Sequence, residues 1–334
     1  MNSSLKFLLS LQLKRLKINQ TNKGFTLIEL LVAIILAFLV ITPLMMFMMG
    51  VLDSDRREQA KATTEQEIQA ALDYIARDLQ QAVYIYDADG ITRDRNTTTI
   101  TSSGIRDQIP PVKTAPNCDS SVCTPILVFW KREFVPNSVG VSSATDTVTD
   151  DGFAYSLVAY YLITNTNSTN INTTWSRSAR IGRFELRGSV DAANANNRAL
   201  ANTGFNPPPL SNTFSGSTLK ERMNQWQTGL TASQNYTQRV ETLVDFISTT
   251  GPAITTSTTG VCPGTNASPK LVGSLTSGFF TCVDAAQVVA QVYLRGNAFA
   301  RLYNNNNIPF TNSVSTYFPT ASIRAQGRGF LFTK

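Results

Sequence analysis

The sequence predicts an α+β protein: a long N-terminal helix, its first half membrane-spanning, packed on an antiparallel β-sheet domain with long loops. Three observations lead there. Residues 25–52 form an apolar run of 28 residues with one charge, Glu29, and about 20 apolar residues suffice to cross a bilayer. The chain after it continues with apolar residues at Ile68, Leu72, Ile75, Leu79 and Val83, the three-and-four spacing of one helical face. Beyond residue 86, runs rich in Val, Ile, Tyr and Phe alternate with Thr, Ser, Asn, Gly and Pro clusters, which is the pattern of strands and turns.

The elements follow in order. Residues 5–13, "LKFLLSLQL", are apolar but interrupted by Lys6 and followed by no A-x-A site, so they read as an amphipathic piece of a leader and not as a secretory signal. Residues 25–85 form the helix, of which 25–52 are transmembrane. Pro43 lies inside it and removes a backbone donor, which predicts a bend. The buried stripe of its second half leaves the charged Glu65, Glu67, Asp73, Arg77 and Asp78 elsewhere. Asp89-Gly90 marks a turn. Residues 86–334 are the β-rich domain, with strands predicted at 126–134, 153–164, 180–190, 239–248 and 285–299. Loops span 191–235, which contains "NPPPL", and 249–270.

Charge and composition exclude several function classes. The net charge is +6, but Lys6, Lys14, Arg15, Lys17 and Lys23 supply five of those charges before residue 25. The remaining +1 provides no basic stripe for a phosphate backbone, so no nucleic-acid partner is expected. The five basic residues place the N-terminus in the cytoplasm and everything after residue 52 outside. There is no histidine. That removes the Ser-His-Asp triad and every His-containing metal site, and no nucleophile motif takes their place. No catalytic residue is assigned, and a membrane-anchored hydrolase is the weaker rival reading.

The four cysteines, Cys118, Cys123, Cys262 and Cys282, all follow the apolar run. An even number in an oxidising compartment predicts disulfides. Four cysteines allow three pairings; the local one, Cys118–Cys123 and Cys262–Cys282, is expected. Their spacing does not suit zinc, and no metal site is assigned. Calcium is the one cofactor left open, through Asp87, Asp89 and Asp94 or Asp146, Asp150 and Asp151. Neither stretch has the twelve-residue loop with its closing Glu, so Asp-rich surface turns are the favoured reading. Tyr84, Tyr86, Trp130, Tyr160, Tyr161 and Trp175 are candidates for stacking on sugars, although aromatics in strand patterns are more often core.

The stretch "KGFTLIELLVAIIL" resembles the type IV prepilin signature: a basic leader ending in glycine, then Phe, then Thr-Leu-Ile-Glu, then an apolar helix. The resemblance implies a pilin-like fold and makes residues 1–24 a prepilin leader. A prepilin peptidase would cut between Gly24 and Phe25 and methylate Phe25, and Glu29 would serve filament assembly. A carboxylate at membrane depth costs about 2.5–3.5 kcal/mol on insertion scales. Glu29 lies one helical turn from Phe25, so it can pair with the new ammonium of its own or a neighbouring chain. "ARDLQQA" resembles the larger minor pilins and pseudopilins, the J/W-like class of type II secretion and type IV pili. The Asn/Thr-rich loops and "VDFI" resemble pseudopilins of cyanobacterial hormogonium polysaccharide secretion. The implied function is a non-enzymatic minor pilin or pseudopilin, a single-pass subunit of the cytoplasmic membrane assembled into a pilus or pseudopilus. The implied partners are the peptidase, other pilins, an inner-membrane assembly platform and a secreted polysaccharide. A filament-tip adhesin or sugar-binding module is the alternative.

Overall fold

The computed structural model describes residues 24–119, 121–164, 174–196, 200–252, 262, 270–303 and 308–329. The leader before Gly24, with its amphipathic patch, lies outside them. The chain divides into two compact units, one ending at Asp55 and one spanning Arg56–Lys334. Helix α1, Leu27–Gln80, begins in the first and ends in the second.

In the first unit α1 is apolar on every side. Its most apolar 18-residue window has a mean hydropathy of 2.9 and no buried residue. Leu27, Phe38 and Phe47 are among many large side chains left open. A helix apolar all round is stable only when other apolar matter covers it. Pro43 is tolerated within the helix, and Thr42 Oγ1 bonds back to the Phe38 carbonyl at 2.8 Å.

In the second unit α1 buries Ala60, Thr64, Ile68, Ala71, Leu72, Ile75, Ala76 and Leu79, the expected stripe. The helix stops at Gln80 and not near residue 85. Val83 and its neighbours form strand β1, Ala82–Ile85, with all four residues buried. Their β-branched and aromatic side chains favour a strand, and β2, Cys123–Gly140, offers them a free ladder: Tyr84 faces Trp130 and Ile85 faces Phe129. A local 3.6-residue pattern cannot reveal that offer.

At the predicted Asp89-Gly90 turn lies a one-turn helix, α2, Ala88–Thr92, capped by Asp87. Strands β3, Thr149–Ile163, β4, Ala179–Val190, and β5, Glu241–Ile247, complete an antiparallel sheet in the order β1-β2-β3-β4-β5. The second sheet holds β6, Lys270–Gly273, β7, Phe279–Asp284, β8, Val289–Arg295, and β9, Thr320–Gln326, in sequence order.

The strand predicted over 285–299 is shorter. Asp284 Oδ1 accepts the amides of Ala286 and Gln287, each at 3.1 Å, closing a turn before β8. After β8, Asn297 caps helix α4, Ala298–Leu302, by accepting the Ala300 amide at 2.9 Å. Strands β6, β7 and β9 escaped the sequence reading. The last, "TASIRAQ", alternates apolar Ala321, Ile323 and Ala325 with polar residues, although only Ala325 is buried, and it pairs with β8 along its whole length.

The loop predicted over 191–235 is anchored. It contains helix α3, Leu219–Met223, with a Thr218/Glu221 capping box. It sends Met223, Trp226 and Leu230 into the core. Trp130 touches Trp226 and Phe205 edge to face, and its indole donates to the Tyr86 hydroxyl, which donates to the Met223 carbonyl. Disulfides join Cys118 to Cys123 and Cys262 to Cys282, the local pairing.

One prediction about the helix fails informatively. Asp78 is not a solvated charge; it is buried. Its carboxylate accepts the Tyr160 hydroxyl at 2.7 Å and Arg183 Nε at 2.8 Å, with Lys131 Nζ at 3.5 Å. Lys131 also meets Glu185 at 2.9 Å and Glu133 at 3.3 Å, Arg183 meets Glu185 at 2.7 Å, and Arg187 meets Glu133 at 2.6 Å. Three carboxylates and three cations thus balance on the sheet face under α1. Burial alone would raise the Glu185 carboxyl, but Lys131 and Arg183 outweigh it and hold it low. Burial would likewise lower Lys131, and its carboxylate partners raise it.

A second cluster ties α2 to α3 and β6. Asp87 accepts Lys220 at 2.5 Å; Asp89 accepts Lys220 at 3.0 Å and also Lys270. Burial opposes ionisation of Asp89, yet its lysine partners bring its pKa down to about 2.

Two outcomes are expected. Asp78→Ala leaves Arg183 and Lys131 short of a counter-charge in a buried site and should destabilise the second unit by about 3–5 kcal/mol. Urea unfolding of the detergent-solubilised chain measures it; a loss below about 1 kcal/mol, the scale of an exposed pair, would contradict the network. Carboxyls depressed in the folded state stabilise it above their unfolded pKa and lose that contribution as pH falls. Stability should therefore hold above about pH 4 and decline towards about pH 2. Lys270→Met should shrink the difference between those two pH values, and an unchanged difference would remove Asp89 from the account.

Candidate functional site

The expected processing and assembly residues lie at the start of α1. Gly24 precedes the helix and Phe25 is 85% exposed. A Cβ built on Gly24 would meet nothing within 4 Å. The described residues around it therefore make no demand for glycine at this position.

Thr26 and Glu29 are joined in a way the sequence reading missed. Thr26 donates both its backbone amide and its hydroxyl to Glu29 Oε2, at 3.1 and 3.0 Å, and its hydroxyl oxygen lies 3.3 Å from the Glu29 amide. The Leu30 amide bonds to the Thr26 carbonyl at 3.1 Å. This is a capping box: the first residue's oxygen takes an orphan amide of the first turn, and the acid three positions on returns the favour. Its signal was legible as Thr-x-x-Glu before an apolar run. Both Thr26 contacts fall on Oε2, and a carboxylate has two oxygens with about four acceptor directions, so capping leaves Oε1 able to accept a further donor. A negative charge in the first turn also complements the helix dipole.

The remaining candidates are placed as follows. Tyr84, Tyr86, Trp130, Tyr160 and Tyr161 are core residues, each at most 1% exposed; Trp175 is 37% exposed. Asp87 and Asp89 face lysines, and Asp94 forms a paired contact with Arg106 at 2.8 and 2.7 Å. Asp146 accepts the amides of Ser142 and Ser143, and Asp151 that of Asn137. These carboxylates serve turns and ion pairs. Among the described residues no group of three His, Cys, Asp or Glu is arranged to hold a metal ion.

Residues 19–45 match the family model of the prokaryotic N-terminal methylation motif. That match supports a type IV pilin-like protein, and with it processing by a prepilin peptidase and assembly with other pilins. No curated protein and no solved structure matches the chain.

Thr26→Ala should fray the first turn at a cost of about 1 kcal/mol, and Thr26→Ser should restore it. Amide exchange at residues 28–30 in detergent micelles reads the effect. Equal protection in Thr26→Ala and wild type would mean that the box is not formed.

Proposed function

We propose that this chain is a pilin-like structural subunit of a membrane-anchored filament, cut after Gly24, methylated at Phe25 and held in the filament through Glu29. The observation that carries the reading is the methylation motif over residues 19–45, set at the junction between a basic leader and an apolar helix with one carboxylate. Gly24 strengthens it. Among the described residues nothing around Gly24 would obstruct a side chain, and a demand for glycine there would come from the peptidase that reads the junction.

The physical role of Glu29 follows from its surroundings. Cutting frees a primary ammonium on Phe25 at the edge of an apolar helix, and methylation turns it into a secondary one that keeps its charge. In lipid that charge has no fixed partner. In a packed filament, Glu29 of its own or an adjacent chain supplies one, and the capping geometry leaves Oε1 for it. The basic leader favours a cytoplasmic N-terminus, and the two disulfides fit an outer domain in an oxidising compartment. The subunit acts by assembly and not by catalysis, together with other pilins and an inner-membrane platform. The bulk of the outer unit favours a minor pilin or pseudopilin placed sparsely or at a tip, since a large domain is hard to repeat along a tight shaft. Service in polysaccharide secretion and surface motility is the narrower reading, supported only by the resemblance of the Asn/Thr-rich loops and "VDFI".

Gly24→Val should leave the uncut precursor, seen by intact mass of membrane-extracted protein, while wild type begins at methylated Phe25. A native N-terminus at Met1 would sink the proposal. Glu29→Val should insert in the membrane at least as well as wild type, because a costly carboxylate is gone. It should nevertheless fall out of sheared filaments, as should Glu29→Gln, which keeps shape but not charge. Normal incorporation of both variants would show that the ammonium has another partner.

A further inference from the structure

The outer half of α1 and the β5 edge of the first sheet enclose a groove of about 660 Å³, whose lining includes Tyr74, Trp175, Phe246, Glu67, Asp245 and Arg301. Tyr74 and Trp175 are 44% and 37% exposed, whereas the other two tryptophans, Trp130 and Trp226, are 0% and 2% exposed.

Three features indicate that the lining is built and not an accident of incomplete burial. Phe246 has φ of +56°, a left-handed conformation that is strained for a bulky residue. The β4–β5 ladder shifts register on both sides of Ile181, and such bulges re-aim side chains. Asp245 braces the result: its carboxylate accepts the Ser176 amide and hydroxyl, each at 2.7 Å, and the Phe246 amide at 2.8 Å. One buttressing group thus fixes both the residue beside Trp175 and the strained residue carrying the third ring. Arg301 lies over the Phe246 ring at 4.2 Å and is bonded to Glu67 and, at 3.3 Å, to Thr64.

Pre-set rings with a few oriented polar groups are the make-up of a ligand site. A fold that needed these rings only for stability would bury them, as it buries Trp130 and Tyr160. Open aromatic faces rimmed by carboxylates match a pyranose, whose C–H face is apolar and whose hydroxyls donate outward. The two lining carboxylates outnumber the one lining guanidinium, and that guanidinium is engaged by Glu67, so the lining does not select an anion. We propose that this groove binds a neutral saccharide chain, with sugar rings on Trp175 and Tyr74 and Asp245 acting as the positioning residue. The assignment does not depend on the filament reading.

Because Trp175 is the open tryptophan, its emission reports binding directly. The detergent-solubilised full chain is titrated with maltohexaose, cellohexaose and chitohexaose, and with a galacturonic acid hexamer as the anionic control. The expected result is a saturable quench or blue shift with at least one neutral hexamer below about 10 mM, and none with the acidic one. By calorimetry, Trp175→Ala and Tyr74→Ala should each weaken binding about tenfold or more. Asp245→Asn should weaken it with unchanged far-ultraviolet dichroism, and Phe214→Ala, an exposed aromatic elsewhere, should leave it unchanged. No saturable response to any neutral hexamer, equal binding by Trp175→Ala, or preference for the acidic hexamer would overturn the proposal. So would an emission shift that follows protein concentration and not sugar, since the groove would then be covered by a second copy of the chain.

Discussion

The unit from Arg56 onward depends on what Asp78 does. A helix that presents only alanine, isoleucine and leucine to a sheet can slide or rotate by a residue without losing much apolar contact. A buried carboxylate cannot. Asp78 must meet Tyr160 and Arg183 together, and those residues sit on neighbouring strands whose register is fixed by backbone pairing. The net-neutral network through Lys131, Glu185, Glu133 and Arg187 removes the penalty that any one of those charges would incur alone. Two residues past Asp78 the chain leaves the helix and pairs with β2.

At the other end of the same helix the problem is reversed. From Leu27 to Leu52 the helix has no apolar cover of its own, and its one charge sits in the first turn. The capping box reconciles these facts. Glu29 satisfies a backbone amide that lipid could not, so the carboxylate has local work in the isolated chain and a spare oxygen for a partner in an assembly. The residue that makes the helix costly to insert is also the one that closes its first turn.

Between these two constraints the rest of the molecule is free to vary. The loop over 191–235 and the helix α3 pack as core, through Trp226 and Met223, without regular strand pairing. The groove by Trp175 shows the opposite: rings held open by a bulge, a strained residue and a fully engaged aspartate, where simple burial would have been more stable. Local strain of this kind persists only where surrounding structure over-determines it.

The α+β class, the apolar span, the helical stripe at Ile68, Leu72, Ile75 and Leu79, five of the strands and the methylation motif over residues 19–45 were legible in the sequence, because each is written in local composition or in a short fixed spacing. The Thr26–Glu29 box was written there too, in the same few residues. The strand of 320–326 was also written there, in the alternation of Ala321, Ile323 and Ala325 with polar residues. The end of α1, the strand identity of 82–85 and the burial of Asp78 were decided only by the tertiary structure. In each case the deciding partner lies far along the chain: β2 for Ala82–Ile85, and Tyr160 and Arg183 for Asp78. Periodicity records which face of an element is apolar. It does not record which distant backbone will complete a ladder, or which distant charge will make a buried carboxylate affordable.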